Sequence, residues 1–350
     1  MEQWIDQADL ARMTGIVIPA YFSAKPSDEL VSHLLWMTLG DCPAYLPLDH
    51  ICVVVDGDPR TERLLVQLRD AMLAQHGATF HILSLPENRG KLWAIRAGVS
   101  LLLEANPALT YFTIRDGDGD HAIAEVPALV RAALHLTDAY GHSSVIVIGA
   151  RRSRHHPMGW LRGEMETLLD WVNLDALAYT LARQGRALDL AHCVGRGAAP
   201  DLSSGFKVYG RQIAEELFVR QEPSYASLTP NDYWHYGPET ATITEAMLTG
   251  AVIAEKLRLT WDGQPATAFG EFKQLTLYGE LLAWVFARLE IPVAVAAQLY
   301  DNHAPDSMLR TTAQGAEMLA ALRRYALEKT AAWRGDREPV PDTKPPMPFM

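Results

Sequence analysis

The chain has 350 residues, 49% of them hydrophobic, so it can bury the core of one large α/β domain or of two modest ones. Its 42 acidic and 31 basic residues give a formal net charge of −11, which argues against nucleic acid or an anionic membrane surface as a partner. The three cysteines, Cys42, Cys52 and Cys193, lack the spacing of a zinc site. They predict free buried thiols and a cytoplasmic location.

The two ends of the chain lead to predictions about targeting and flexibility. The N-terminal "MEQWIDQADLARMTG" lacks the features of a signal peptide, and no apolar run approaches about 18 residues, so we expect no membrane span. Residues 331–350 contain five prolines, from Pro339 to Pro348. Because proline interrupts helices and sheet ladders, this segment predicts a flexible tail.

Short apolar runs that end in proline, aspartate, glycine or a polar loop recur through residues 1–150, a pattern typical of buried parallel strands. These runs are "GIVIPAY" (15–21), "HICVVVDGD" (50–58), "FHILSL" (80–85), "YFTI" (111–114) and "SVIVIGA" (144–150). Segments with helical spacing of apolar residues separate them. The alternation predicts a mostly parallel sheet with helices on both faces and ligands beyond the carboxyl ends of the strands.

Residues 151–330 lack this alternation and predict a more helical region. Residues 160–185 are predicted to form a helix, and residues 201–218 a short strand or turn followed by a helix. Residues 240–257 are predicted to form a helix, followed by a strand "LRLTW". Residues 275–330 are predicted to be largely helical, with a late strand in "IPVAVAAQLYDNHAP".

The stretch "YFTIRDGDGDH", residues 111–121, places three carboxylates on alternate positions, Asp116, Asp118 and Asp120. Such crowding is unfavourable unless a cation neutralises it. A calcium loop of the EF-hand kind is disfavoured, because His121 stands where glycine is required and Pro127 where glutamate is required. An Asp-x-Asp loop that holds Mg²⁺ or Mn²⁺ and a diphosphate fits better, and a solvated acidic turn is the remaining alternative.

Three other loops are predicted at the same sheet edge: "PAYFSA", "DGDPR" and "PENRGKLWAIRAG". Together with the acidic loop, these segments resemble the GT-A fold nucleotide-sugar glycosyltransferases, especially those of family 2. The resemblance covers residues 15–150. In the second half, "DLSSGFKVYGRQIAEEL" is similar to the segment that lies beneath the donor sugar in these enzymes.

The resemblance implies a GT-A type α/β fold and metal-dependent transfer of a hexose from a UDP- or GDP-linked donor to a small polar acceptor, with Mg²⁺ or Mn²⁺. Residues 1–150 would form the nucleotide-sugar-binding half. Residues 151–330 would form the acceptor-binding half and the C-terminal helices of the same domain. The residues implied in nucleotide-sugar binding are Pro19, Ala20, Tyr21, Asp56, Asn88, Gly90, Lys91, Asp116, Gly117, Arg151, Ser204 and Gly205.

The resemblance also implies roles for particular side chains. Tyr21 would stack on the base, Asp56 would bind base or ribose, and Lys91 would bind phosphate. Asp118 would be the main metal ligand, and Asp116 would bind the ribose or the metal.

His303 in "YDNHAP" is either a further metal ligand or a surface residue. Inverting members carry an acidic pair at a helix start. Here Thr240 follows Glu239, so Glu239 is either the base of an inverting reaction or a residue that orients the acceptor in a retaining one.

The segment "ARRSRHHPMGWLRG" concentrates basic residues in an acidic chain. Its arginines, Arg151, Arg152, Arg154 and Arg162, either clamp a diphosphate or an anionic acceptor, or only solvate a loop.

Two other functions compete with transfer. The first is a degenerate GT-A domain that binds a nucleotide or a protein partner. The second is a sugar-1-phosphate nucleotidyltransferase, whose Gly-Gly-x-Gly-Thr-Arg signature is not found in "IPAYFSAKP". The sequence does not decide whether the chain forms a homodimer through residues 275–330.

Overall fold

A computed structural model describes residues 5–23, 26–193, 199–260, 274–336 and 340–342. The strands are β1 (Thr14–Ala20), β2 (Ile51–Asp56), β3 (His81–Leu85), β4 (Tyr111–Ile114), β5 (Val145–Ala150), β6 (Lys207–Gly210) and β7 (Val252–Leu257). The helices are α1 (Gln7–Met13), α2 (Asp28–Leu39), α3 (Pro59–His76), α4 (Lys91–Ala105), α5 (Val126–Tyr140), α6 (Trp160–Arg183), α7 (Arg211–Glu215), α8 (Pro230–Tyr236), α9 (Thr240–Thr249), α10 (Gln274–Arg288), α11 (Val293–His303) and α12 (Ala313–Arg334).

The described strands form one sheet in the order β3-β2-β1-β4-β6-β5-β7. Strand β6 is antiparallel to both of its neighbours, and all other pairs are parallel. The carboxyl ends of six strands and the start of β6 therefore lie at one edge. This edge is where the loops predicted to carry function converge.

Side chains of the strands alternate between two hydrophobic cores. In β2, Ile51, Val53 and Val55 face one core and Cys52 and Val54 face the other, all at most 1% exposed. Helices α1, α2, α3 and α5 cover the first core, and α4, α6 and α8–α12 cover the second. The predicted α/β class, with a mostly parallel sheet between helical layers and a helical C-terminal region, is confirmed.

The prediction for residues 240–261 was wrong in its boundaries. Helix α9 ends at Thr249 because Gly250 adopts a φ of +84°, a left-handed conformation that glycine tolerates best. The chain then forms β7, which pairs with β5 and overlaps the predicted strand "LRLTW" only at Leu257.

The predicted late strand in residues 291–305 was also wrong, because this segment contains helix α11. Pro292 precedes the helix at its N-cap position, and the buried residues Ala296, Ala297, Leu299 and Tyr300 follow helical spacing. The alternation of valine and alanine at the start of the segment imitated a strand.

The predicted tail begins inside a helix, since α12 continues to Arg334. Pro341 is also held in place, because its carbonyl accepts a hydrogen bond of 2.8 Å from Arg323 Nη1. Residues 337–339 and 343–350 of the predicted tail lie outside the described residues.

The cysteine prediction is confirmed for Cys42 and Cys52, which are free and buried, whereas Cys193 is free and half-buried. None of the helices in the described ranges is both long and apolar enough to cross a lipid bilayer.

Candidate active site

A cavity of about 260 Å³ opens at the edge where the parallel strands end. Lys91 begins α4 after β3, Asp116 follows β4 and Arg151 follows β5, and all three line this cavity. Ser204 and Gly205 enter from the segment before β6, and Glu239 enters from the start of α9. The structure therefore brings together six of the residues predicted from the sequence.

Lys91 connects two carboxylates at the floor of the cavity. Its Nζ lies 2.8 Å from Asp116 Oδ1 and 2.7 Å from Glu239 Oε1. Burial alone would lower the pKa of Lys91, but these two carboxylates raise it above its usual value, so the lysine stays charged. Gly205 packs closely against this cluster, because a Cβ there would come within 3.1 Å of Lys91 Nζ and 3.2 Å of Asp116 Oδ2.

The acidic loop holds carboxylates that are unfavourably charged without a cation. Burial, followed by the charges of Asp116 and Asp120, raises the pKa of Asp118 to about 7. Burial also raises the pKa of Asp120 to about 6, although Arg258 opposes the shift. The Asp118 carboxylate is close to this neighbour, because its Oδ1 accepts a hydrogen bond of 3.2 Å from the Asp120 amide.

This electrostatic strain predicts a pH-dependent gain in stability for Asp118→Asn in metal-free protein. At low pH Asp118 is protonated in both states; as the pH rises from its ordinary pKa of 3.8 towards about 7, only the unfolded chain releases the proton freely. The folded wild type therefore loses stability over this interval through Asp118, and the asparagine variant lacks this contribution to the loss. Urea unfolding at pH 4 and pH 8 measures the difference, and an equal effect of the substitution at both values would contradict the account.

Two residues that the sequence analysis did not assign hold the acidic loop. Arg115 is 1% exposed and donates to the carbonyls of Thr38 and His121, each at 2.9 Å. His121 Nδ1 accepts a hydrogen bond of 3.0 Å from the Asp116 amide, and its ring stacks on Phe206. Burial lowers the pKa of His121 well below its usual range, so the ring is neutral and suited to accept this bond. The sequence signal that could have identified Arg115 was a charged residue at the end of an apolar strand.

The glycines of the loop serve the protein's own backbone. A Cβ on Gly117 would come within 3.2 Å of the Pro19 carbonyl oxygen, and Gly119 has a φ of +81°. Gly117 thus allows close packing of the acidic loop against β1.

Three arginines of residues 150–163, Arg151, Arg154 and Arg162, have internal acidic partners, so they do not simply solvate a loop. Arg151 contacts Asp201 at 2.5 Å and Glu166 at 2.7 Å, and Arg154 contacts Asp170 at 2.6 Å. Although Arg151 lines the cavity, its guanidinium already binds two carboxylates. A diphosphate clamp would have to compete with these contacts.

Three further residues predicted to bind the nucleotide, Tyr21, Asp56 and Asn88, are not among the described residues that line this cavity. Tyr21 is 50% exposed, and its ring is accessible for stacking. Asp56 is buried, and its carboxylate accepts hydrogen bonds of 2.8 and 2.9 Å from the amides of Arg89 and Gly90. Asn88 Oδ1 also accepts from the Gly90 amide at 3.1 Å. Asp56 and Asn88 thus shape the turn that leads into Lys91.

His303 is not brought together with the acidic loop. Its Nε2 lies 2.7 Å from Asp175 Oδ2, and its ring stacks on Trp171 at 5.2 Å between centroids. It lies at the end of α11 and does not contribute to the cavity lining among the described residues.

The described ranges contain no group of three or more His, Cys, Asp or Glu side chains already arranged to hold a metal ion. The acidic loop nevertheless fits a hard divalent cation. Such ions bind through one or two carboxylates and complete their shell with water and phosphate oxygens. The raised pKa of Asp118 is the expected mark of carboxylates that a cation would stabilise.

Comparison with known proteins matches residues 15–218 to the family model described as glycosyl transferase family 2. No curated protein sequence matches the chain. Among solved structures, the chain is similar to a mannosyltransferase from Pyrobaculum calidifontis, solved in complex with GDP-Man and Mn²⁺. That similarity covers 93% of this chain and 88% of that chain, with 12% sequence identity and a TM-score of 0.45.

Proposed function

Since the chain belongs to glycosyl transferase family 2 and is therefore a glycosyltransferase with a nucleotide-sugar donor, we propose that it transfers a hexose from a UDP- or GDP-linked donor to a small polar acceptor. A divalent cation, Mg²⁺ or Mn²⁺, binds at the acidic loop with Asp118 as its main protein ligand. The predicted resemblance and the assignment as a glycosyltransferase are confirmed by the family match. The donor, the acceptor and the metal are the parts that we propose.

The observation that carries this proposal is the cluster of Lys91, Asp116 and Glu239 in a cavity at the sheet edge. Asp118 is not among the described residues that line this cavity, but its carboxylate interacts electrostatically with Asp116 and Lys91. A diphosphate needs cationic groups close to its oxygens, and Lys91 supplies a positive charge. Because Lys91 begins α4, the dipole of this helix also favours an anion there. Glu239 contacts the same lysine, and its carboxylate can accept a proton from the hydroxyl group of the acceptor. One cavity therefore holds residues for the diphosphate of the donor and for the hydroxyl group of the acceptor.

The transfer forms one bond and breaks another. The acceptor hydroxyl oxygen attacks the anomeric carbon, and the bond from that carbon to the diphosphate oxygen breaks, with the electron pair leaving on the diphosphate. Lys91 stabilises the charge that develops on the diphosphate, and the hydroxyl proton passes to Glu239. A bound divalent cation supplies further stabilisation of the same charge.

The nucleoside binds over the carboxyl ends of β1 and β2. The exposed ring of Tyr21 stacks on the base, and the turn shaped by Asp56 and Asn88 contacts the ribose. Asp116 contributes to ribose or metal binding. Ser204 and Gly205 lie beneath the donor sugar.

Thermal-shift measurements with UDP, GDP, ADP and CMP, each with and without Mn²⁺, test this proposal. We expect UDP or GDP to raise the melting temperature only in the presence of the metal, because ligand binding to the folded state stabilises it. A chain whose melting temperature is unchanged by every nucleotide and metal combination would not support a nucleotide-sugar site.

A further inference from the structure

A second, smaller cavity of about 30 Å³ adjoins the first and shares Asp120, Arg151, Met158 and Arg258 with it. We call it the arginine pocket. Its further lining includes Arg152, Ser153, His156 and Thr260. Basic side chains thus converge at this end of the site, in a chain whose formal net charge is −11.

Arg258 differs from the other buried arginines near the site. It is 6% exposed and donates to two neutral acceptors, the Gly149 carbonyl at 2.8 Å and Ser204 Oγ at 2.9 Å. Within the described ranges no carboxylate lies within 4 Å of its guanidinium, whereas Arg151 and Arg154 each contact carboxylates directly. Burial lowers the pKa of Arg258, and the more distant Asp120 and Asp201 oppose this only in part.

Arg258 also lies over the ring of Phe206, at 5.3 Å from its centroid, but a buried cation without a direct anionic partner is unfavourable unless it has an anion to bind. The remaining guanidinium nitrogen, Nη1, has no hydrogen bond to the described protein, and Arg258 lines both cavities. A guanidinium matches the oxygens of a carboxylate or phosphate group well. Arg258 is therefore placed to bind an oxyanion that enters from the larger cavity.

The arginine pocket is preformed by contacts around Arg258. Glu125 Oε1 accepts the amides of Leu259 and Thr260 at 2.5 and 2.8 Å, which fixes the chain after β7. Arg152 Nε donates to the Arg258 carbonyl at 3.1 Å. These contacts hold the backbone around Arg258 in place before an anion binds, and such preorganisation favours affinity.

The arginine pocket lies close to the proposed transfer site. Ser204 contacts Arg258, and the next residue, Gly205, lies against the cluster of Lys91, Asp116 and Glu239. Neighbouring Cα atoms are about 3.8 Å apart, so the two sites are separated by a short span. A ligand that reaches both sites has its anionic group only a few bonds from its reacting hydroxyl.

We propose that the arginine pocket binds the carboxylate or phosphate group of the acceptor, so that the acceptor is a small anionic hydroxy compound. This inference rests on the proposed function for the transfer step. The binding of an oxyanion at Arg258 does not depend on it, which makes the two separately testable.

Calorimetric titration with inorganic phosphate tests the pocket directly. We expect Arg258→Gln to weaken phosphate binding at least about tenfold, because hydrogen bonds to charged groups are among the strongest in proteins. Arg258→Lys should retain part of the affinity, and Arg152→Gln should reduce it. Lys91→Met, which removes the cation of the proposed diphosphate site, and Arg324→Gln, at an exposed position of α12, should leave phosphate binding at Arg258 intact.

Circular dichroism shows whether each variant is folded. If Arg258→Gln does not fold, Arg152→Gln and Arg258→Lys still test the proposal. Undetectable phosphate binding by the wild type, or equal affinity in Arg258→Gln, overturns the proposal. Loss of phosphate binding in Lys91→Met instead would place the anion at the diphosphate site and also overturn it.

Acceptor assays with glycerate, glycerol 3-phosphate and glycerol then compare a carboxylate, a phosphate and a neutral compound on one carbon skeleton. We expect product with at least one anionic member and none with glycerol, and a lower kcat/KM for that acceptor in Arg258→Gln. The inference is overturned if glycerol is used as well as the anionic compounds are. It is also overturned if neither anionic compound is glycosylated. Failure of the proposed function is distinct, because it appears as the absence of nucleotide binding while phosphate still binds at Arg258.

Discussion

Asp118→Ala is expected to reduce kcat/KM for sugar transfer by at least about 1,000-fold, while the protein stays folded. The reason is that Asp118 is proposed to seat the cation that neutralises the leaving diphosphate. Metal-dependent nucleotide binding should be lost together with turnover. Steady-state kinetics and nucleotide titration in the presence of Mn²⁺ measure the two effects.

Asp138→Ala is the matched control for this substitution, because Asp138 is an exposed carboxylate on α5, away from the cavity lining. It should retain wild-type kinetics. If Asp118→Ala retained both turnover and metal-dependent nucleotide binding, another residue would have to hold the cation.

Glu239→Gln is expected to lower kcat by about 100- to 10,000-fold, the range that general-base catalysis contributes. Glutamine keeps the shape and the contact with Lys91 but cannot take the acceptor proton. Because Glu239 is not proposed to bind the nucleotide, the Kd for the nucleoside diphosphate should change little. Stopped-time product assays and nucleotide titration measure these quantities.

The exposed Glu104 on α4 offers the matched control, Glu104→Gln, with no expected change. A loss of less than about fivefold in Glu239→Gln would contradict a base at this position. It would favour a role in orienting the acceptor, which is the alternative for a retaining reaction.

The first half of the fold was predictable because its strands are runs of β-branched and apolar residues, and β1, β2, β4 and β5 are buried almost throughout, whereas β3 at the sheet edge is half-buried. Strand β2 illustrates this, since all of its residues are buried and the chain turns at Asp56. The order of strands and helices then follows from right-handed crossovers. The predicted loops converge because parallel strands end at one edge.

The second half was less predictable because single residues decide its boundaries. Gly250 ends α9, but the apolar pattern continues through it without a break. In α11 a short alternation of valine and alanine imitated a strand, although the buried residues have helical spacing. Tertiary burial, which the linear pattern does not specify, decided both cases.

Only part of the site was predictable, because its residues come together through contacts that are distant in sequence. Lys91, Asp116 and Glu239 were identified individually from motifs, but the contacts that join Lys91 and Glu239 span 148 positions of sequence. Arg258 was not identified, because it was predicted to lie inside a strand, whereas it follows the end of β7. The acidic partners of Arg151 lie in α6 and in the segment before β6, so its charge could not be assessed from neighbouring residues.

The most direct measurement is a crystal structure with Mn²⁺ and UDP or GDP, recorded at a wavelength where manganese scatters anomalously. The account predicts an anomalous peak within about 2.5 Å of an Asp118 carboxylate oxygen, with diphosphate oxygens on its other side. A nucleotide bound without such a peak, or a peak away from the acidic loop with Asp118 turned from it, would contradict the account.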